Sequence, residues 1–216
     1  MCGISGFINL KENYLYKWEE YDEILKKMCK ELYHRGPDEN GRLLTRNYGL
    51  AHTRLAIIDI DKGKQPMELK ANNTTYSIVY NGEIYNTNEL RNDLKSKGWM
   101  FETTSDTEVI LIGFAEYGIE IASKLNGIFA FMVVNSKTKT AFLVRDQVGV
   151  KPLYFSVWDE TVIFSSEIKG IFAYPQIKPE IDNNGLNEVL SIGPAKTYGN
   201  GVFKGIDEVK PGHFVK

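Results

Sequence analysis

The residue whose position suggests chemistry is Cys2, directly after Met1. If methionine is cleaved from this small second residue, one carbon carries both a thiol and a free α-amine. That amine has a reference pKa of about 8, so near neutral pH a useful fraction can take the thiol proton directly or through water. No separate histidine base is then needed, and a thiolate suits attack on an amide. By position alone, however, a cysteine here is more often incidental. The other cysteine, Cys29, sits beside Met28 in a helical pattern and reads as a small residue on or beside the buried face. Two cysteines in 216 residues form no disulfide framework. The three histidines, His34, His52 and His213, are scattered without zinc-ligand spacing.

Charged and amide side chains add candidates of a different kind. Arg54 lies in a strand-like apolar run, where a guanidinium must be paired, either with a ligand carboxylate or in an internal ion pair. Asn81-Gly82 ends a buried-looking strand, and in isolation such a pair is usually a hairpin turn. Asp106 adds favourable negative charge to the first turn of a helix that Ser105 caps. There is no Gly-x-Gly-x-x-Gly or Walker-type loop, so no nucleotide site is expected within these residues.

The elements that must position these groups follow from apolar periodicity. Gly3–Leu10 reads as a strand whose glycines let something approach the backbone closely. Trp18, Tyr21, Ile24, Leu25, Met28 and Leu32 recur at helical spacing, and that helix stops at His34-Arg35-Gly36-Pro37-Asp38. Strands are expected at Leu43-Leu44, Gly49–Asp59 and Tyr76–Tyr80, with polar turns at Arg46-Asn47 and Asn72-Asn73. Thr87–Lys97 is a short helix with inward Leu90 and Leu94, closed by Gly98. Ser105-Asp106-Thr107-Glu108 matches a capping box, and the helix it opens runs to Tyr117 and Gly118. After a further helical stretch to Leu125, strands are expected at Gly127–Asn135, Thr140–Arg145, Leu153–Val157 and Val162–Ser165, with hairpin signals at Ser136-Lys137 and Asp159-Glu160.

Strands at both ends enclose helices without regular alternation, and no linker or repeat divides the chain. This predicts one α+β domain over 1–216, its core within 2–210. A hydrophobic share of 43% is enough for a sizeable core. Formal net charge is -2 with both signs interspersed, which argues against nucleic acid or an anionic membrane as partner. No apolar run approaches the roughly 20 residues of a membrane span, and the first residues lack secretory-signal character, so a cytosolic location is expected.

Several segments together carry a resemblance to a known family. Met1-Cys2-Gly3-Ile4-Ser5-Gly6 resembles the start of class II glutamine amidotransferases, the N-terminal-nucleophile glutaminase domains. Agreement continues through His34–Asp38, His52–Asp59, Tyr80–Asn86, Ser105–Glu108 and Arg145–Tyr154, in the family's order along almost the whole chain. Arg35-Gly36-Pro37-Asp38 and Asn81-Gly82-Glu83-Ile84-Tyr85-Asn86 resemble the asparagine synthetase branch in particular.

The resemblance implies a four-layer αββα sandwich and assigns roles. Cys2 is the nucleophile, and Asn81 with the Gly82 N–H forms the oxyanion hole. Arg54 meets the glutamine α-carboxylate, Glu83 and Asp106 surround its α-amine, and Ile57 and Ile58 supply backbone or apolar contacts. His34 as a base to Cys2 is disfavoured, because Gly36 and Pro37 mark a rigid turn that in the family flanks the active site. Arg145–Pro152 reads as an architectural turn near a second domain. Glutamine hydrolysis itself is expected to need no cofactor; ATP and magnesium belong to a synthetase domain that the resembling enzymes carry beyond a Pro-Gly-His turn, here Pro211-Gly212-His213. The 216 residues are therefore expected to release ammonia but not to make asparagine alone, with the synthetase domain or a separate polypeptide as partner. A homodimer is compatible with this. The alternatives are delivery of ammonia to another acceptor, or a non-catalytic scaffold of the same fold.

Overall fold

In the computed structural model, which describes residues 1–56, 63–192 and 197–216, the wholly buried run Gly3–Ile8 forms strand β1. It is followed by helix α1 (Trp18–Leu32), strands β2 (Glu39–Leu44), β3 (Tyr48–Arg54), β4 (Met67–Ala71) and β5 (Thr74–Ile84), and helices α2 (Thr87–Ser96), α3 (Asp106–Tyr117) and α4 (Ile121–Lys124). Strands β6 (Gly127–Asn135), β7 (Thr140–Arg145), β8 (Tyr154–Trp158) and β9 (Thr161–Ser165) come next. Helices α5 (Ile168–Phe172) and α6 (Asn183–Ile192) and strands β10 (Ile206–Glu208) and β11 (Phe214–Val215) complete the described elements. None of the described helices is long and apolar enough to cross a membrane.

Two antiparallel sheets result, ordered β10-β8-β9-β1-β3-β2 and β11-β7-β6-β5-β4. Three apolar clusters fill the spaces between four layers. Phe7, Leu25, Met28, Ile163 and Ile171 join α1 and α5 to the first sheet. Ile4, Leu50, Val79, Met132 and Phe164 lie between the sheets. Ile78, Leu94, Val109, Ile112 and Phe131 join α2 and α3 to the second sheet. The expected αββα sandwich is therefore the fold. Its cause is strand alternation: in β1, Ile4 and Ile8 face the other sheet while Phe7 faces α1, and in β5, Val79 faces inward while Ile78, Tyr80 and Ile84 face α3.

Glycine matters at the start of β1. A Cβ on Gly3 would stand 2.6 Å from Thr53 Oγ1 and 2.9 Å from Leu32 Cβ, so α1 and β3 close on this residue as the sequence reading expected.

Some expectations need correction. The strand expected over Gly49–Asp59 ends at Arg54, and 57–62 lie outside the described residues. Strand β2 begins four residues before the expected Leu43, because Glu39–Leu44 pairs along β3. Strand β4 was not foreseen, since Met-Glu-Leu-Lys-Ala alternates too briefly to stand out. The strand expected over Tyr76–Tyr80 runs from Thr74 to Ile84, with Asn81 opposite Ala130 and Gly82 opposite Phe129, so the turn preference of an isolated Asn-Gly pair is not expressed. The capping box is only half formed. Ser105 accepts from the Thr107 N–H, but Glu108 reaches back to the Glu102 and Thr103 N–H groups rather than to Ser105, whose own N–H is taken by the Thr103 hydroxyl.

Candidate active site

The sheet register brings distant residues to one end of the space between the sheets. Gly3 pairs with Thr53, so Cys2 lies beside Arg54 at the end of β1. Alternation puts Cys2 on the face of Ile4, Arg54 on the face of Leu50, and Asn81 on the face of Val79, all toward the space between the sheets. There they line a cavity of about 290 Å³ with Gly82, Glu83 and Asp106. That volume is at the small end for ligand sites, which suits a molecule of amino-acid size. Six of the eight residues singled out from sequence thus share one cavity; Ile57 and Ile58 lie outside the described residues.

Cys2 is held at both backbone and sulfur. Its carbonyl accepts from Arg35 Nε at 2.9 Å. Its Sγ accepts from the Leu55 N–H at 3.4 Å and stands 3.7 Å from the Leu55 carbonyl. Arg35 is fixed in turn by Glu167 at 2.8 Å. Burial disfavours the charged form of Glu167, but hydrogen bonds from Arg35 and His34 outweigh it and hold this carboxyl below its ordinary range. Burial also pushes the Cys2 thiol up, opposed by the Leu55 N–H, the chain's amino terminus, Arg54 and Arg35. Cys29 has weaker opposition and is pushed up to about 11 by burial, which leaves it an inert thiol.

The open edge of β5 supplies aligned donors. Odd residues there bond toward β6 and its approach, as the Tyr85 N–H does to the Asn126 carbonyl at 2.7 Å. Even residues face the other way: the Tyr80 N–H donates to Gln65 Oε1 at 2.6 Å and the Ile84 N–H to Asp106 Oδ2 at 3.4 Å. The Gly82 N–H lies between these two on the same edge, beyond the end of β4, whose last pair is Met67 with Ile78. Close approach of β6 enforces glycine here, since a Cβ would stand 2.3 Å from the Ile128 carbonyl. Asn81, 2% exposed, has no hydrogen-bond partner for its Nδ2 among the described residues. A buried amide donor without a partner is costly and points to a ligand acceptor.

Charges of both signs complete the cavity. Arg54 is buried, and one arm pairs with Glu39 at 3.1 Å. The internal ion pair weighed from sequence therefore exists, alongside the position on the cavity wall. Asp106 opens α3 and is buried; its Oδ2 accepts the Tyr80 hydroxyl at 2.6 Å. Glu83 is exposed and touches the cavity only at its rim.

His52, Gln65, Tyr80 and Lys151 are among the wall residues that the sequence reading did not assign to the site. His52 could have been found by alternation from Arg54, whereas Gln65 carried no periodic signal and Tyr80, next to Asn81, faces the outer cluster. Lys151 sits in the stretch read as architectural. Arg145 and Asp146 do build that turn: Arg145 donates to the Lys151, Val209 and Gly149 carbonyls and pairs with Glu208, and Asp146 accepts N–H groups from Val148 to Lys151 and from Phe129. One product of the turn is the Lys151 side chain, buried against the cavity. His34 pairs with Glu167 at 2.9 Å and is not among the cavity's lining residues, in keeping with its rejection as a base.

In backbone shape the chain is similar to the glutamine phosphoribosylpyrophosphate amidotransferase of B. subtilis solved with ADP and GMP, at a TM-score of 0.65 and 21% identity, covering 80% of this chain and 43% of that one. At 21% identity that likeness is one of fold, and it agrees with the sandwich described above. The chain belongs to the glutamine amidotransferase domain family, whose model matches residues 1–216. Among curated relatives it is 42% identical to asparagine synthetase [glutamine-hydrolyzing] 3 of Bacillus subtilis, over 99% of this chain and 34% of that protein. It is 40% identical to asparagine synthetase [glutamine-hydrolyzing] 1 of the same organism, over 88% of this chain and 29% of that protein. A putative asparagine synthetase [glutamine-hydrolyzing] 2 of Methanocaldococcus jannaschii is 38% identical, over 89% of this chain and 39% of that protein. The chain spans about a third of the length of these relatives.

Proposed function

We propose that this chain hydrolyses the side-chain amide of glutamine to glutamate and ammonia through a thioester on Cys2. The observation that carries the reading is the convergence on one small cavity of a thiol at the start of β1, a buried amide donor without a partner, a guanidinium and a buried carboxylate. Removal of Met1 would free the Cys2 α-amine. The amine takes the thiol proton, and Sγ attacks the amide carbon. The oxyanion that forms is held by Asn81 Nδ2 and the Gly82 N–H. Return of the proton to nitrogen expels ammonia as the C–N bond breaks. Water then attacks the thioester, releasing glutamate and restoring the thiol. Arg54 suits the α-carboxylate of the substrate and Asp106 its α-ammonium; the exposed Glu83 contributes at the rim.

Resemblance to glutamine-hydrolysing asparagine synthetases supports ammonia delivery to an ATP- and magnesium-dependent synthetase that amidates aspartate, acting as the partner of this domain. A cytosolic setting fits the same reading, with both cysteines present as free thiols. The test couples intact mass, which reports Met1 removal, to separate assays of glutamate and ammonia for the wild type and Cys2→Ala. Stoichiometric glutamate and ammonia from the wild type, lost in Cys2→Ala, is the expected result. Turnover that survives Cys2→Ala refutes the mechanism.

A further inference from the structure

We infer that Tyr80 is a positioning residue for substrate recognition: its hydroxyl fixes in place the Asp106 carboxylate that receives the α-ammonium of the substrate. The inference rests on the function proposed above and adds a residue that the sequence reading left out.

Packing of the Tyr80 ring leaves its hydroxyl unexplained. Tyr80 faces the outer core, in the cluster that holds Ile78, Ile84, Val109 and Ile110, and is 3% exposed. Phenylalanine would fill that space equally well, so the hydroxyl alone requires a reason. It donates to Asp106 Oδ2 at 2.6 Å, and the Ile84 N–H reaches the same oxygen at 3.4 Å. Both donors come from β5, so they fix Asp106, at the start of α3, against the strand that carries Asn81 and Gly82. The carboxylate cannot swing toward solvent without breaking both bonds.

The environment makes that support necessary. Burial pushes the Asp106 carboxyl above its ordinary range, and the hydrogen bonds from Tyr80 and Ile84 offset part of that rise. The phenol itself stays protonated, because burial and the neighbouring Asp106 push its pKa well up, so it acts as a donor throughout the physiological range. The backbone of Tyr80 is clamped as well: its N–H donates to Gln65 Oε1 at 2.6 Å and its carbonyl faces His52 Nε2 at 3.3 Å. A hydroxyl on so rigid a mount can only direct what it touches, and it touches the charge proposed for the amine.

The test uses Tyr80→Phe, Asp106→Asn and the double variant, each assayed with glutamine and with 4-carbamoylbutanoate, which is glutamine without its α-amine. The expected result for Tyr80→Phe is a KM for glutamine raised about tenfold or more, as for loss of a hydrogen bond to a charged group, with kcat little changed. On 4-carbamoylbutanoate, Tyr80→Phe and wild type should be equal. In the Asp106→Asn background, adding Tyr80→Phe should cost less than twofold. Equal losses on both substrates, or an unchanged KM for glutamine, would overturn the role of Tyr80 while leaving the proposed function standing. A wild type indifferent to the α-amine would overturn both Asp106 as its receptor and Tyr80 with it. A wild type that does not hydrolyse glutamine at all would overturn the underlying function.

Discussion

Asn81 separates a catalytic role from a structural one, because its side chain contributes little that a folded protein needs. It is 2% exposed, and its Nδ2 finds no partner among the described residues. Truncation to alanine therefore removes a desolvated donor rather than a formed bond, at the expense of a small void. The expected change in unfolding free energy is about 1 kcal/mol or less, of either sign. The expected change in rate is much larger. Loss of one oxyanion donor removes on the order of 3 kcal/mol of transition-state stabilisation, about two orders of magnitude in kcat, while KM for glutamine changes little. The assay pairs steady-state glutaminase kinetics with urea unfolding of the same preparations. Asn81→Ala with wild-type kcat, or with stability lowered by more than 2 kcal/mol and kcat falling only in proportion to unfolded protein, would refute the reasoning.

Arg54→Lys should raise KM for glutamine strongly with kcat little affected, because an ammonium cannot reproduce a bidentate carboxylate pairing; steady-state kinetics that show a kcat effect alone would reassign the residue. Arg145→Met should lower stability by about 3–5 kcal/mol in urea unfolding, since it leaves the buried Glu208 carboxylate without its guanidinium and three carbonyls without their donor. His52 is held neutral in the fold because burial pulls its pKa from 6.5 to about 3. Above pH 6.5 both states are neutral and nothing is lost; below it the unfolded chain binds a proton that the native one refuses, so stability falls by about 1.4 kcal/mol per pH unit until the folded value is reached. His52→Asn should flatten that acid limb in pH-dependent unfolding, and an unchanged slope would show that other groups control it.

Much of this architecture was legible because alternation and helical spacing are strong signals in long elements. Gly127–Asn135 and Thr140–Arg145 were bounded correctly, and the helix from Trp18 ended within a residue of its expected stop. Short elements were not legible: β4, β10 and β11 carry too few residues for a period, and they owe their strand geometry to neighbours. The site divides the same way. Cys2 stood out as a thiol beside a potential chain terminus and Arg54 as a charge in an apolar run, whereas Asp106 suits the first turn of its helix and drew its site role from the family resemblance. Tyr80 and Gln65 stayed hidden because an aromatic in a strand and an amide in a loop need no special explanation until their partners are known. The local turn preference of Asn81-Gly82 is overridden here by nine residue pairs between β5 and β6, which carry the strand past its expected end at Tyr80.

The site also depends on contacts that belong to neither sheet alone. Cys2 rides on β1, which sits between β3 and β9, with the Ile4 carbonyl accepting the Ser166 N–H at 2.8 Å and the Ile4 N–H reaching Ser166 Oγ at 3.0 Å. Asn81 and Gly82 ride on β5 in the opposite sheet. No backbone ladder joins β1 to β5, so the spacing of Cys2 from Asn81 and Gly82 is set by the apolar layer behind them, where Ile4, Val79, Ala130 and Phe164 meet, and by the His52–Tyr80 hydrogen bond between the sheets. Packing at that density transmits small displacements, and an error of about 1 Å between reacting groups can cost two orders of magnitude in rate. Under the proposed mechanism, substitutions between the sheets should change the rate without touching the substrate. Arg35, Leu55 and Ser166 clamp the start of β1, which holds Cys2 as rigidly as the proposed mechanism requires.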